Sequence, residues 1–341
     1  MLAAVFNSKN KLILKRIPKP EIESKDDVLI KVKATGLCGS DAPILIDPSP
    51  DLDLEGKVVG HEVAGTVEDK GSRVKGVEKG DHVIIDPVFS CGICFLCLQG
   101  RKNLCPDNKH MGWHMTGGLS EYIRVKEENI FKVSPEVPFH IAALLEPIAD
   151  VIHGIEKVKP CPWDKVVILG AGSIGLIFYK ILRIMGVSDI IVSEISDYKI
   201  KLAKNVGVDN IINSKKESLK EAALNSFNNL ADIVIDASGI SLAHSLALVK
   251  KGGKILLFGS IKNKNETCIS QNQIVGRELS ILGTNCATKK NFIEAIDLVE
   301  ANAYEFEKIV TNRFSLNEIG EAIKVLNNKE ALKIIIEPGK R

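Results

Sequence analysis

The feature that most constrains this chain is an apolar run that leads directly into a glycine pattern, Gly170-Ala171-Gly172-Ser173-Ile174-Gly175. In such a pattern the first glycine permits a tight turn after a strand and the second lets the backbone approach a pyrophosphate. The third glycine lets the next helix pack on the strand. Ser173 and Ile174 would open that helix, whose N-terminus faces the anion. The stretch therefore predicts a strand–turn–helix unit that binds a dinucleotide.

A carboxylate marks the expected position of the nucleotide's ribose. Glu194 ends the next apolar run, and an acid at this place accepts hydrogen bonds from ribose hydroxyls and repels the additional 2′-phosphate of NADP. The residues just after it, Ile195 and Ser196, include no arginine to hold that phosphate, although Lys199 is near. The pattern favours NAD over NADP, with Lys199 as a further candidate for cofactor contact.

Strands and helices alternate around the glycine pattern. Strands are predicted at 165–169, 190–192, 233–236 and 254–258, and helices at 140–156, 173–185 and 196–206. This alternation predicts the α/β fold class, with a doubly wound, mostly parallel sheet of the Rossmann type.

The rest of the chain has a different pattern of apolar residues. Residues 1–135 hold short runs rich in β-branched side chains and separated by glycine, with a predicted loop at 42–57. Such runs are typical of strands. We predict a β-rich domain at residues 1–150, completed by residues 286–341, and an inserted nucleotide-binding Rossmann domain at residues 151–285.

Four of the eight cysteines are clustered, with the spacing Cys91-x2-Cys94-x2-Cys97-x7-Cys105. In a long chain without a secretion signal, such a cluster indicates metal binding more than disulfides. Four thiolates this close can hold one Zn²⁺ tetrahedrally with no open position, as structural zinc sites do. An iron–sulfur cluster and free thiols are the alternatives. Sparse basic residues nearby argue against a nucleic-acid-binding knuckle.

Composition argues against two classes of partner. The 45 basic and 43 acidic residues give a formal net charge of +2, whereas proteins that track phosphates concentrate Lys and Arg. No run approaches the ~18 apolar residues of a membrane span, and the N-terminus lacks the pattern of a signal peptide. We expect a cytoplasmic protein with neither nucleic acid nor membrane as its partner.

Further metal-binding side chains lie outside the cysteine cluster. His61 and Glu62 are adjacent in a glycine-flanked apolar run, Cys38 lies in a Gly-Leu-Cys-Gly-Ser-Asp stretch, and Glu146 lies near the start of a predicted helix. Cys38 and His61, with Glu62 or Glu146, would make a three-ligand site with an open fourth position, the arrangement of catalytic zinc. Spacing alone does not join residues so far apart.

The motifs occur in an order that resembles the zinc-containing medium-chain dehydrogenases/reductases over essentially the whole chain. They are Cys-Gly-Ser-Asp (38–41), Gly-His-Glu (60–62), the four-cysteine segment (91–105), Gly-Gly-Leu-Ser-Glu-Tyr (117–122), Glu-Pro (146–147) and Gly-x-Gly-x-x-Gly (170–175). The resemblance implies a GroES-like β-rich catalytic domain beside the Rossmann domain. It also implies two zinc ions per chain and a homodimer or homotetramer.

Residue roles follow from the same resemblance. Cys38 and His61 would bind the catalytic zinc, Glu62 and Glu146 would bind it directly or through water, and Ser40 would take the alcohol proton. The four clustered cysteines would hold the structural zinc. Glutamate at 146 resembles the polyol branch, which includes sorbitol and galactitol-1-phosphate dehydrogenases. Threonine dehydrogenases carry histidine where this chain has Pro43. This difference argues against a threonine dehydrogenase.

The predicted function is hydride transfer from a secondary alcohol, a sugar alcohol or polyol phosphate, to NAD⁺. One alternative is a dehydrogenase of the same family that acts on threonine, a cyclitol or a simple secondary alcohol. A more remote alternative is a non-catalytic regulatory protein that binds only nucleotide, which would hold one zinc ion per chain instead of two.

Overall fold

The computed structural model describes residues 1–7, 11–46, 54–239, 242–259 and 269–340. The chain divides into two compact units. We call them the β-rich unit, Met1–Ala149 with Cys286–Arg341, and the α/β unit, Asp150–Asn285.

The described elements are seventeen strands and eleven α-helices. The strands are β1 (Leu2–Phe6), β2 (Leu12–Arg16), β3 (Asp27–Leu37), β4 (Glu62–Lys70), β5 (His82–Ile85), β6 (Val88–Phe89), β7 (Lys109–His110), β8 (Tyr122–Lys126), β9 (Ile130–Lys132), β10 (Val166–Leu169), β11 (Ile190–Glu194), β12 (Ile211–Asn213), β13 (Ala231–Asp236), β14 (Val249–Leu257), β15 (Ser280–Gly283), β16 (Val310–Ser315) and β17 (Lys333–Glu337). The helices are α1 (Ala42–Ile46), α2 (Phe95–Leu98), α3 (Phe139–Ala142), α4 (Leu145–Val158), α5 (Ser173–Ile184), α6 (Asp197–Val206), α7 (Leu219–Phe227), α8 (Leu242–Leu248), α9 (Gln271–Val275), α10 (Lys289–Phe306) and α11 (Ile319–Asn328).

The β-rich unit is organised around β3, the central long strand of a seven-stranded sheet. Six strands follow the order β16-β17-β3-β4-β5-β9, and the seventh, β8, also pairs with β3. On one edge β3 pairs with β4, and on the other it pairs with β8 near its start and β17 near its end. Alternate residues Val28, Ile30 and Val32 belong to one buried cluster, as expected for a strand with one face on a core. The end of β3 is thereby fixed between β4 and β17.

The α/β unit contains a parallel six-stranded sheet with the order β12-β11-β10-β13-β14-β15. Ranked along the chain, this order is 3-2-1-4-5-6, the Rossmann arrangement, in which ligands bind where the strand order reverses. That point lies between β10 and β13. Every residue of β10 and β11 is buried, which is typical of parallel strands covered by helices on both faces. The predicted α/β fold class is confirmed.

Two predicted elements differ from the structure. The single helix predicted at 140–156 is divided into α3 and α4, because Pro147 is tolerated in the first turn of a helix but not in its interior. The loop predicted at 42–57 begins with the short helix α1, and residues 47–53 lie outside the described residues. No helix in the described ranges is long and apolar enough to cross a membrane.

A buried ion pair connects the four-cysteine segment to the sheet of the β-rich unit. Lys102 Nζ lies 2.5 Å from Asp86 Oδ2, and the two side chains are 8% and 0% exposed. Asp86, just past β5, also accepts a hydrogen bond from the backbone N–H of Val88 at 2.9 Å. Burial raises the pKa of Asp86 although Lys102 opposes that shift. The carboxylate therefore depends on Lys102 to remain ionised.

Replacing Lys102 by methionine should destabilise the fold by about 3–5 kcal/mol at neutral pH, because it leaves Asp86 buried without its cation. Because the pKa of Asp86 in the folded state lies above its unfolded value, the folded state binds more protons, and stability falls as pH rises through that pKa. The loss in Lys102→Met should therefore be larger at neutral pH than at acidic pH, where Asp86 is protonated. Urea unfolding in zinc-containing buffer measures it.

Lys79→Met is the matched control, because Lys79 and Asp69 form an exposed pair, 64% and 47% exposed, of a kind that contributes about 0–1 kcal/mol. Equal losses of unfolding free energy in the two variants would show that the buried pair of Lys102 and Asp86 contributes no more to stability than an exposed pair.

Candidate active site

Two adjacent strands, β3 and β4, bring three predicted catalytic ligands of the β-rich unit together. Cys38 follows the end of β3, His61 directly precedes β4, and Glu62 is its first residue. In the sheet, Gly36 of β3 is paired with Glu62 on one side and with Ile335 of β17 on the other. Residues that are distant in sequence are therefore neighbours at one end of the sheet.

The metal-binding atoms of Cys38, His61 and Glu62 all lie within 4.8 Å of one another. One thiolate, one imidazole and one carboxylate form a donor set suited to Zn²⁺. Glu146, in the first turn of α4, is not part of this set. Its charge helps to raise the pKa of Lys333, the first residue of β17. The set thus fits a zinc ion, with Glu146 farther away.

A tight turn positions Cys38 and Ser40. The backbone N–H of Asp41 donates to the carbonyl of Cys38 at 3.1 Å, and the N–H of Cys38 donates to Asp41 Oδ2 at 3.3 Å. Ser40 is exposed at the third position of this turn. Its hydroxyl is therefore held two residues from the thiol and remains accessible to a substrate.

Asp41 also orients His61. Its Oδ1 lies 3.2 Å from Nδ1 of His61, which leaves Nε2 for a metal, a common arrangement in zinc proteins. Burial alone would lower the pKa of His61, but Asp41, with Cys38, raises it well above the usual range. Burial would likewise raise the pKa of Asp41, but His61 holds it below the usual range. Without metal, the two residues form a buried imidazolium–carboxylate pair.

Glu62 has a cationic partner that the sequence analysis missed. Lys333 Nζ lies 2.6 and 2.8 Å from the two carboxylate oxygens of Glu62, and both side chains are almost completely buried. Burial would lower the pKa of Lys333, but Glu62, Cys38 and Glu146 raise it. A Cβ on Gly36 would lie 1.9 Å from Glu62 Oε2, so the glycine makes room for this carboxylate. The sequence signal was a lysine directly before the three isoleucines of β17.

The four clustered cysteines form a second, closed metal site. Their sulfurs lie 3.9 Å apart for Cys91–Cys97 and for Cys94–Cys105, and 3.6 Å apart for Cys91–Cys105. A tetrahedron with Zn–S bonds of ~2.3 Å has sulfurs about 3.8 Å apart. A hydrogen bond from Ser90 is the largest cause that lowers the pKa of Cys97, to about 7. These residues form the structural zinc site.

The glycine pattern of the α/β unit adopts the geometry that a pyrophosphate requires. Gly170 has φ +101°, and a Cβ on Gly175 would lie 1.9 Å from the carbonyl oxygen of Gly170, so both positions need glycine. Gly172 is the N-cap of α5, and among the described residues no heavy atom apart from those of its neighbours along the chain lies within 4 Å of where its Cβ would be. The backbone before Ser173 and Ile174 is therefore open to an anion.

Glu194 lies beside this loop at the end of β11. Its Oε2 accepts a hydrogen bond from Ala171 N at 3.1 Å, and its Oε1 accepts from Ile195 N at 2.8 Å and Ser196 N at 3.1 Å. Lys199 is in the first turn of α6, where its N–H donates to Ser196 Oγ at 3.4 Å. The carboxylate is thus fixed next to the glycine loop by three backbone N–H groups.

Comparison with known proteins identifies the family. Residues 24–135 match the alcohol dehydrogenase GroES-like domain, and residues 173–301 match the zinc-binding dehydrogenase domain. A sorbitol dehydrogenase of Bombyx mori is 32% identical over 345 residues, which cover 98% of this chain and 97% of that protein. The chain belongs to the zinc-containing medium-chain dehydrogenases and is an enzyme of the alcohol and polyol dehydrogenase family.

Two solved structures share the fold over nearly the whole chain. A zinc-binding dehydrogenase from Sinorhizobium meliloti 1021 bound to NADP is 29% identical with a TM-score of 0.90, and an alcohol dehydrogenase from Escherichia coli CFT073 complexed with NADH is 30% identical with a TM-score of 0.88. Each comparison covers 99% of both chains. Similar proteins therefore bind NADP or NADH.

Replacing Lys333 by methionine should destabilise the metal-free protein by about 3–5 kcal/mol, because the Glu62 carboxylate stays buried without its cation. Added zinc should recover part of this loss, since Glu62 can then balance its charge on the ion. Urea unfolding of chelator-treated and zinc-loaded protein measures both quantities.

Two further variants serve as controls. Lys333→Met combined with Glu62→Gln removes both charges and should be more stable than Lys333→Met alone without metal. Lys324→Met breaks an exposed pair with Glu321 and should change little. If zinc failed to recover any stability in Lys333→Met, the pair would have no link to the metal site.

Proposed function

We propose that this enzyme oxidises a secondary alcohol of the polyol class with NAD⁺, at a zinc ion held by Cys38 and His61. The observation that carries the proposal is the set of Cys38, His61 and Glu62 atoms within 4.8 Å of one another. Unlike the four-cysteine site, this set leaves room for a substrate oxygen. Catalytic zinc sites differ from structural ones in this respect.

Each residue of the set has a distinct role in the proposal. Cys38 and His61 are the metal ligands, and Asp41 holds the imidazole with Nδ1 engaged. Glu62, paired with Lys333, is the third member of the donor set, and Glu146 acts on the metal through water. Ser40, exposed two residues after Cys38, takes the hydroxyl proton of the alcohol. When bound, zinc supplies Lewis acidity toward the hydroxyl oxygen and NAD⁺ accepts the hydride.

The preference for NAD rests on Glu194. Its carboxylate is fixed beside the glycine loop by three backbone N–H groups, which favours a neutral ribose hydroxyl and repels a 2′-phosphate. We propose that Gly170, Gly172, Ser173, Ile174 and Gly175 bind the pyrophosphate. Lys199, whose position in the first turn of α6 is near Glu194, is the candidate for an additional contact.

The polyol class rests on two features. Glu146 and Pro43 resemble the polyol branch, and a sorbitol dehydrogenase is 32% identical to this chain. A homodimer or homotetramer and a cytoplasmic location stay predictions. Light scattering on the purified protein tests the oligomeric state, and fractionation of cells tests the location.

Cys38→Ser should lower the zinc content from two ions per chain to one and reduce kcat by at least ~10³-fold, because the site loses its thiolate and the Lewis acid with it. Metal analysis and steady-state kinetics measure this. Cys161→Ser, which changes a cysteine of the α/β unit, should keep both zinc ions and full activity. Full activity of Cys38→Ser at defined metal content would refute the proposed zinc site. A content of one zinc ion per wild-type chain would favour the alternative of a non-catalytic regulatory protein.

A substrate panel tests the polyol class and the cofactor together. We expect the highest kcat/KM for polyols with NAD⁺, lower values with NADP⁺, and weak turnover of threonine, cyclitols and simple secondary alcohols. Assays of each polyol with and without a terminal phosphate separate the two polyol subclasses. A kcat/KM that is highest for threonine would overturn the substrate class and leave the zinc chemistry intact.

A further inference from the structure

A cleft in the α/β unit lies at the edge of the parallel sheet where the strands begin. Its volume is about 720 Å³, within the range of small-molecule sites, ~300–1,000 Å³. Its walls come from the segments that precede β13 and β15, from the start of β14 and from helices α7 and α8. The glycine loop follows β10, which runs parallel to β13, and so lies at the opposite edge. The cleft is therefore separate from the proposed cofactor site.

The lining of the cleft is strongly basic and, among the described residues, includes no acid. Four of its eight lining residues are cations: Lys220, Lys250, Lys251 and Arg277. Lys250 is paired with the Asp232 carboxylate. Within the described part of the chain, the other three cations form no ion pair. Three positive charges thus lie unbalanced in one concave surface, although the whole chain has a formal net charge of only +2.

Backbone contacts hold Arg277 at the wall of the cleft. Its guanidinium donates to the carbonyl of Leu246 at 2.9 Å and to the carbonyl of Val249. Its own carbonyl accepts from the N–H of Gly252 at 2.8 Å. Because Leu246 lies in the last turn of α8, the arginine also offsets the negative end of that helix. A guanidinium has five N–H donors, so three are left, among the described residues, without a protein acceptor.

The amide of Asn229 adds a further donor to the lining. Its Oδ1 accepts from the N–H of Leu230 at 2.8 Å, and its NH₂ group has no acceptor within the described ranges. The side-chain groups that the cleft still offers to a ligand are therefore ammonium, guanidinium and amide N–H groups. All of them are donors, and phosphate oxygens, which are acceptors with negative charge, complement such a surface.

We propose that this cleft binds a small organic molecule that carries two or more phosphate groups. Three unbalanced cations match the charge of two phosphates better than that of one, and a single phosphate would fill little of the cleft. Leu230, Leu246 and Ala247 also line it and give the carbon skeleton of the ligand an apolar surface. The proposal is independent of the proposed function, since it concerns neither the zinc sites nor the glycine loop.

Calorimetric titration of the zinc-loaded enzyme with saturating NADH tests the site, because the cofactor then occupies the glycine loop. The probe is hexane-1,6-diyl bisphosphate, which has no hydroxyl or carbonyl group that could react. Inorganic phosphate is the smaller anion and hexane-1,6-diol the uncharged reference. We expect one bisphosphate per chain, with a Kd at least ~10-fold below that of inorganic phosphate, as additional charge-assisted hydrogen bonds imply. Added salt should raise this Kd because it screens the exposed charges.

Two variants locate the binding. Lys220→Gln combined with Lys251→Gln removes two exposed cations without breaking an ion pair. It should raise the Kd of the bisphosphate at least ~100-fold, about 10-fold for each charge-assisted hydrogen bond lost. Lys204→Gln changes an exposed lysine of α6 outside the cleft and should leave the Kd within ~2-fold. Both variants should keep the zinc content and the urea midpoint of the wild type.

Several outcomes would overturn the proposal. The wild type might bind the bisphosphate no more tightly than inorganic phosphate, or the double variant might bind it as tightly as the wild type does; either result shows that the cleft holds no pair of phosphates. A double variant that dissociates in light scattering would assign the cleft to a subunit contact. Tighter binding of polyuridylate than of the bisphosphate would assign it to nucleic acid. Bisphosphate binding in an enzyme that oxidises no alcohol would refute only the proposed function.

Discussion

The buried ion pair between Glu62 and Lys333 is the interaction on which the geometry of the candidate site depends. Charges taken out of water are costly unless they are paired closely, and here one ammonium meets both oxygens of one carboxylate at 2.6 and 2.8 Å. The pair joins the first residue of β4 to the first residue of β17 across the end of β3. Because a one-residue slip of a strand moves its side chains to the opposite face, the pair is compatible with only one register. The last strand of the chain is therefore a structural part of this site.

Asp41 has a comparable function on the other side of the set. It receives the N–H of Cys38 on one oxygen, and His61 and Trp113 meet its other oxygen. One buried carboxylate thus fixes the turn that carries the thiol, the ring that faces the metal position and the indole beside it. The four-cysteine segment has no equivalent centre, because its sulfurs are close in sequence and short turns suffice to gather them. The two sites differ in how the chain assembles them as well as in whether a position is open.

The same distinction explains what the sequence could predict. The glycine pattern and the cysteine cluster are local, so spacing and turn chemistry were sufficient to predict their geometry. Cys38, His61 and Glu62 were connected only through the resemblance to a family, because their proximity comes from strand pairing. Lys333 was missed since it lies 271 residues from Glu62 and looks like an ordinary strand lysine. The division between α3 and α4 was missed because the apolar periodicity of 140–156 outweighed the helix-starting preference of Pro147.

Besides their contribution to stability, Glu62 and Lys333 bear on the net charge of the proposed catalytic metal site. A divalent ion bound by the Cys38 thiolate and neutral His61 carries a net charge of one, which the Asp41 carboxylate behind the imidazole offsets. Glu62 and Lys333 neutralise each other, so they leave this balance unchanged. Because Lys333 contacts both oxygens of Glu62, a strand at the far end of the sequence sets the net charge of a carboxylate that lies beside the position proposed for the metal.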